Sequence, residues 1–370
     1  MKRMDLILML AMLLLVSFGL GLAINNQSKD INELSSSIGQ LSETVARNKN
    51  MEDLTQTVND LSDEILKTDA NYNGVKVHGN LFVNGASLFD QQGDRVQLQG
   101  FSSHGLMWYP EYINYAAMET IRNYGANVMR IAVYTETNSG YIDNGKEVLG
   151  ILYQSMENVL AADLYAIVDW HILEDESPLI HQEQAIEFFD RVSRQYANHP
   201  GVIYEICNEP NGDTSWADIK AYAETVIPVI RKNSPSALIL VGTPNYSTDI
   251  ESVYEDPLMY EGVMYSYHQY IDENSSSSRS TIEKAQEFKL PLFVSEWGVN
   301  NRNEDLEISL IRAEEFLMLL DEYSISWVNW SLSNKSEISA AIRSEVHSLS
   351  GWTLDELSHS GRLTFQHLNQ

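Results

Sequence analysis

A chain of 370 residues is long enough for about two domains, and 44% hydrophobic with 21% charged residues is the composition of a folded protein, which excludes wholesale disorder. Acidic residues outnumber basic ones 52 to 24, giving a net charge of −28, and this excludes nucleic acid as a partner, because phosphate backbones need Lys/Arg patches. The single cysteine, Cys207, excludes an intrachain disulfide and a Cys-based zinc site.

Lys2 and Arg3 precede an apolar run from Leu6 to Ile24. As a helix this run spans about 28 Å, close to the hydrocarbon thickness of a bilayer. The positive flank favours a cytoplasmic N-terminus. Two readings of residues 1–25 stay open. The length of the run favours an uncleaved signal-anchor; a cleaved signal peptide would use Gly21-Leu22-Ala23 as its small-x-small site. Both put the remainder outside the cytoplasm, anchored at the cell surface or secreted.

Ile31, Leu34, Ile38, Leu41 and Val45 recur at alternating spacings of three and four, and Met51, Leu54, Val58, Leu61 and Ile65 repeat the pattern. This is an a/d seam, broken in phase across Asn48. It predicts a helical coiled-coil stalk over residues 26–70 and a homo-oligomer formed through residues 31–66. A single amphipathic helix is the alternative. Thr68 to Gly74 reads as a linker, and residues 71–370 as the main folded domain.

Asn84-Gly85 and Gly93-Asp94 are hairpin-type turn signals. Strand candidates follow at Val96–Phe101, Val128–Tyr134, Ala166–Trp170, Val202–Ile206, Leu238–Gly242, Val263–Tyr267, Leu292–Ser295 and Ser326–Trp330. Several are nearly continuous apolar runs, as strands covered on both faces require. Helix-length segments such as Trp216–Lys232 and Leu306–Tyr323 separate most of them. The pattern predicts an α/β fold, a (β/α)8 TIM barrel preceded by the N-terminal helix and the stalk. No G-x-G-x-x-G turn follows the first strand, which counts against a doubly wound dinucleotide-binding sheet.

In such a barrel the chemistry sits at the C-terminal strand ends. Here those ends carry His104, Arg130, Tyr134, His171, Asn208, Glu209, His268, Tyr270, Glu296 and Trp330. Glu209 follows strand four and Glu296 ends strand seven, so the two carboxylates face each other across the mouth. A carboxyl pair flanking a cleft suits glycosidic bond cleavage, in which one group must be protonated and the other ionised. Arg130 is placed to hold Glu296 ionised, Tyr270 to hydrogen-bond it, and the Asn208 amide to bind a substrate hydroxyl. Two carboxylates and a water complete this chemistry, so neither a metal nor a cofactor is called for.

The segment Val202-Ile203-Tyr204-Glu205-Ile206-Cys207-Asn208-Glu209-Pro210-Asn211-Gly212 resembles the acid/base signature of glycoside hydrolase family 5. Leu98–Tyr109, Gly140–Asn144, Val168–Leu173, Phe293–Gly298, Ser326–Ser333 and Ser350–Leu354 resemble further motifs of the family's bacterial endo-β-1,4-glucanases. The resemblance covers about His78 to Leu363. It implies a retaining double displacement on β-1,4-glucan, with Glu209 as acid/base and Glu296 as nucleophile. The carboxyl groups are then expected roughly 5–5.5 Å apart. Arg130, His171, Asn208, His268, Tyr270 and Trp330 match the remaining shared active-site positions; His104, Trp108, Tyr134, Lys335 and Glu337 match substrate-contacting positions. Trp108 and Trp330 offer flat faces to pyranose rings, and Trp297 reads as a packing residue. Gln269 stands where an aromatic is usual and Cys207 where Ala is usual, both expected close to the site. Mannan, mixed-linkage glucan, xyloglucan and chitosan remain alternative substrates for the same machinery, and a non-catalytic carbohydrate-binding barrel is a further alternative.

Overall fold

A computed structural model of the chain describes residues 73–136, 139–272, 274–300 and 306–369. The expected membrane segment and heptad stalk lie outside the described residues. Among the described residues, no helix is long and apolar enough to cross a membrane.

The body opens with a short helix, α1 (Val75–His78), and an antiparallel hairpin, β1 (Phe82–Asn84) and β2 (Ser87–Phe89). Gly85 turns it with φ near +61°, in the left-handed region that glycine enters without steric cost. Eight parallel strands follow: β3 (Gln99–Ser102), β4 (Val128–Tyr134), β5 (Tyr165–His171), β6 (Val202–Glu205), β7 (Ile239–Val241), β8 (Val263–Ile271), β9 (Leu292–Val299) and β10 (Trp327–Trp330). They pair in chain order, and β10 closes on β3 to make a barrel. All eight expected strands are present. The first is shifted toward the C-terminus, and Val96 and Leu98 before it pack into the barrel floor.

Helices cover the outside: α2 (Tyr115–Asn123), α3 (Tyr141–Ala161), α4 (Gln182–Gln195), α5 (Trp216–Asn233), α6 (Arg279–Glu287), α7 (Leu306–Tyr323) and α8 (His359–Leu368). Their apolar stripes explain the docking. In α4, Ala185, Phe188, Phe189 and Val192 recur at helical spacing and are fully buried, with Phe188 5.0 Å from Trp170 of β5. In α5, Ser215 and Asp218 form a reciprocal capping box, an N-terminal stop signal worth about 1 kcal/mol. A left-handed turn replaces a full helix after β7.

Strand alternation sorts the side chains. On β5, Trp170 turns outward to the helices, while Ile167, Asp169 and His171 turn inward. The hairpin and the lower strand halves share one apolar cluster, with Leu81, Leu88 and Val96 against Val128, Ile167, Ile203, Leu240, Met264, Phe293 and Val328. This plug fills the lower barrel and leaves the upper ends to polar residues. A register shift in β9 matters for the site. Phe293 pairs with Ser266, but Glu296 pairs with His268, so one extra residue sits on β9. The same surplus appears against β10, where Val294 pairs with Trp327 and Trp297 with Asn329. This bulge turns two consecutive residues, Ser295 and Glu296, toward the axis.

Candidate active site

Arg130 of β4 is the hub. It is fully buried, and its guanidinium makes four hydrogen bonds and one further ion pair. Nε donates to Glu205 Oε2 at 2.6 Å. Nη1 donates to Ser102 Oγ at 3.2 Å and Glu296 Oε2 at 3.0 Å. Nη2 donates to Asn208 Oδ1 at 2.6 Å and contacts Asp169 Oδ2 at 3.0 Å. Burial opposes its charge, yet the carboxylates of Asp169, Glu205 and Glu296 outweigh that and hold the guanidinium charged.

Glu296 ends up on this hub. Its other oxygen, Oε1, accepts from the Tyr270 hydroxyl at 2.6 Å. Burial and the Glu296 carboxylate push the Tyr270 phenol well above 10, so it stays a donor. Glu209 sits opposite, with Oε1 2.8 Å from His268 Nδ1. An oxygen of Glu209, an oxygen of Glu296 and a His268 nitrogen all lie within 4.8 Å of one another. That closeness accords with the short carboxyl separation of retaining glycosidases.

The two carboxyls differ electrostatically. Burial raises Glu209 to about 7; the more distant Arg130 opposes the shift and Glu205 adds to it. Burial and then Glu209 raise Glu296, while His268 and Arg130 act against them. Glu296 has the guanidinium in direct contact and Glu209 does not. A single proton shared by the pair therefore resides on Glu209, the asymmetry that acid/base chemistry beside a nucleophile requires.

Both histidines of the site are neutral. Burial, then Arg130, push His171 down to about 3, and its Nδ1 lies 2.6 Å from Asp169 Oδ2. Burial brings His268 down to about 4. Asn208 is fully buried, and its amide hydrogens are engaged by Ile172 O at 3.1 Å and His171 Nε2 at 3.3 Å. A substrate hydroxyl would have to displace the longer of these two contacts.

The wall of the mouth is aromatic. Trp330 stacks on His171 at 5.4 Å and is 6% exposed. Tyr134 lies 4.0 Å from His171 and meets Trp108 edge-on at 4.8 Å. Trp108 keeps 39% of its surface in solvent. Lys335 Nζ is 2.9 Å from His104 Nε2 and 2.8 Å from Glu337 Oε2, so the expected substrate-contacting residues meet at one end of the barrel. Burial, then the Lys335 ammonium, push His104 down to about 4. Trp297 is buried edge-on to Trp327 at 6.0 Å, as a packing residue should be.

Cys207 and Gln269 do not face the site. Cys207 is fully buried in the core outside the barrel. Gln269 accepts from the Tyr267 hydroxyl at 2.9 Å and lines a cavity of about 570 Å³ beside α7. Gln269 holds an outward position on β8 and Cys207 lies just past β6 in the outer core, so their unusual identities do not touch the carboxyls directly.

Several site residues were given no role in the sequence reading. Asp169 and Glu205 are fully buried partners of Arg130. Asn245, Tyr246 and Ser247 form a left-handed turn with φ of 54°, 60° and 56°. Such a run of non-glycine residues costs on the order of 1–2 kcal/mol per residue. It is held by Ser247 Oγ donating to Asn208 O at 2.6 Å and by Tyr246 N donating to Pro210 O at 3.0 Å. Tyr246, 47% exposed, is thereby set beside the Asn208–Pro210 segment. Close approach also fixes Gly242, where a Cβ would lie 2.3 Å from Cys207 O.

Glu209, His268 and Glu296 have a spacing that a metal ion could bridge. Their atoms are instead paired with one another, with Tyr270 and with Arg130, whose charge would repel a cation there.

The profile of the cellulase family, glycosyl hydrolase family 5, matches residues 89–336. Endoglucanase A of Butyrivibrio fibrisolvens is 40% identical over 302 residues, covering 80% of this chain and 70% of that protein. An endoglucanase of Clostridium saccharobutylicum is 40% identical over 285 residues, covering 76% of this chain and 63% of its own length. The structure of the Thermobifida fusca endoglucanase catalytic domain in complex with cellotetraose superposes with a TM-score of 0.75 at 30% identity, covering 80% of this chain and 99% of that one. With an eight-stranded parallel barrel, a carboxyl pair at its mouth and these relatives, the chain is a glycoside hydrolase that belongs to the cellulase family, glycosyl hydrolase family 5.

Proposed function

We propose that this protein is a retaining endo-β-1,4-glucanase in which Glu296 is the nucleophile and Glu209 the acid/base. The carboxyl pair carries the reading, with oxygens within 4.8 Å and a cation bonded to only one of them. Glu209 protonates the glycosidic oxygen as Glu296 attacks the anomeric carbon. A glycosyl-enzyme forms. Glu209 then takes a proton from water, whose oxygen displaces Glu296. Trp108, Trp330 and Tyr246 supply ring faces for pyranose C–H bonds, and His104 with Lys335 and Glu337 supplies polar contacts along the same wall. Reducing-sugar release from carboxymethyl-cellulose, mixed-linkage glucan, mannan and chitosan tests the substrate. Activity on the glucans supports the reading; activity on mannan or chitosan alone replaces the substrate and keeps the mechanism.

The acid must be protonated, so activity should fall as pH rises through about 7. Glu209→Ala should lose on the order of 10²–10⁴-fold on cellulose, with much of the loss restored on an aryl glycoside whose leaving group needs no proton. The same raised pKa affects stability. The buried carboxyl binds its proton more tightly folded than unfolded, so its favourable contribution is complete below the unfolded value of 4.5 and is lost as pH rises to about 7. Glu209→Gln should therefore melt above the parent at pH 8, with the gap closing toward pH 4. A gap that is constant with pH would contradict this origin.

The N-terminal 70 residues extend the reading to a tether that holds the barrel off a membrane on an oligomeric stalk. The heptad pattern and the apolar run support it. Expressed whole, the chain should sediment with membranes, and a version starting at residue 26 should be soluble and larger than a monomer. A soluble full chain would favour the cleaved signal.

A further inference from the structure

Glu205 lies beneath the two catalytic carboxyls, fully buried, and is bonded to both of their supports. Its Oε2 accepts from Arg130 Nε at 2.6 Å, and Arg130 in turn holds Glu296. Its Oε1 accepts the hydroxyls of Ser266 and Ser295, each at 2.6 Å. Ser295 Oγ is 3.0 Å from His268 Nε2, and His268 Nδ1 is 2.8 Å from Glu209 Oε1. These contacts form one chain, Glu205–Ser295–His268–Glu209, and its hydrogens can be placed by counting. A hydroxyl has one hydrogen. Ser295 spends its hydrogen on Glu205, so toward His268 it only accepts, and Nε2 must carry a hydrogen. Burial keeps His268 neutral, so it carries only that one. Nδ1 therefore offers a lone pair to Glu209, and only a protonated carboxyl can bond to it.

We propose that Glu205 is a positioning residue that fixes His268 as its Nε2–H tautomer and thereby keeps the proton on Glu209. The proposal rests on Glu209 being the acid/base. Glu205 does not touch the substrate; it acts through Ser295 and His268. When Glu209 gives its proton to the departing sugar oxygen, its carboxylate is left facing the Nδ1 lone pair. That repulsion favours recovery of a proton from the attacking water as its oxygen bonds to the anomeric carbon and the bond to Glu296 breaks. The charge of Glu205 also raises Glu209, in the same direction as the chain. The other charged or titratable groups around the pair are Arg130 and Tyr134 of β4, Asp169 and His171 of β5, His268 and Tyr270 of β8, and Glu296 of β9. None of them is exchanged in Glu205→Gln or Ser295→Ala, the variants whose pH profiles are compared with the parent's.

Glu205→Gln preserves shape and reverses the chain. Its carbonyl must face Arg130 Nε, so its amide hydrogens face Ser266 and Ser295. Ser295 then donates to Nε2, and Nδ1–H donates to Glu209 and holds it ionised. The basic limb of the kcat/KM pH profile should move to lower pH by about one unit or more. At pH 7, kcat should fall about 5-fold or more while KM changes little. Nitrogen NMR of labelled histidine, with His268 assigned by its loss in His268→Asn, should show Nε2–H in the parent and Nδ1–H in the variant. Ser295→Ala cuts the chain, leaves the Arg130–Glu205 pair in place, and should move the limb in the same direction; it gives the reading if the glutamine variant does not fold. Limbs that superpose on the parent's in a folded variant, or a parent His268 protonated at Nδ1, would overturn the proposal. The tautomer is read without turnover, so an error in the assignment of Glu209 shows separately, as a Glu209→Gln variant that keeps the parental basic limb.

Discussion

Replacing Glu296 with alanine is expected to lower kcat/KM on polymeric glucan by on the order of 10⁴-fold or more, with the barrel intact. The bond-forming atom is removed, and no neighbour can replace it. Glu209 is committed to His268, and Asp169 lies under Arg130 and His171. Folding should survive, because the substitution also relieves a buried carboxyl whose ionisation burial opposes. Arg130 keeps Glu205 and Asp169 as partners. The check is steady-state kinetics beside a melting curve. Turnover within tenfold of the parent would remove Glu296 from the mechanism.

Arg130→Ala is expected to fail by a different route, through stability. The guanidinium is the cation buried among Asp169, Glu205 and Glu296, and its side chain is fully excluded from water. Removing one member of a buried charge cluster costs roughly 3–5 kcal/mol, because the carboxylates left behind keep their desolvation penalty without their partner. Three carboxylates would then repel one another inside the barrel, so the loss should deepen as pH rises and shrink as they protonate. Urea unfolding at pH 5 and pH 8 measures both effects. Arg130→Lys keeps a charge but offers three donors on a single nitrogen where a planar fork reaches five partners, so it should recover little activity. A parental unfolding midpoint for Arg130→Ala at pH 8 would show that the cluster is not held in this way.

The barrel was legible because its strands are buried on both faces. Runs such as Val202–Ile206 and Leu292–Ser295 are too apolar for a half-exposed sheet, and helix-length segments separate most of them. The site was legible because the inward positions at the strand ends hold residues that no apolar core would choose. The missing helix after β7 was not legible; Thr243–Ser247 closes as a left-handed turn fixed by the distant Asn208 carbonyl, a tertiary contact that leaves no local pattern. Glu205 stayed hidden because it looks like one more residue of the strand before Asn208. The bulge in β9 was equally invisible: alternation would turn Ser295 and Glu296 to opposite sides, and only the pairing register shows both facing inward. For Gln269 the signal was present. It lies between His268 and Tyr270, so period-two alternation already placed it on the outer face.

The most direct test is to trap the glycosyl-enzyme with a 2-deoxy-2-fluoro cellobioside carrying a good leaving group and to locate the adduct by peptide mass spectrometry. Glu296 as nucleophile, with Glu209 about 5 Å away as acid/base, predicts a single added cellobiosyl mass on the peptide containing Glu296. Label on Glu209, or no label together with products of inverted anomeric configuration, would contradict the account.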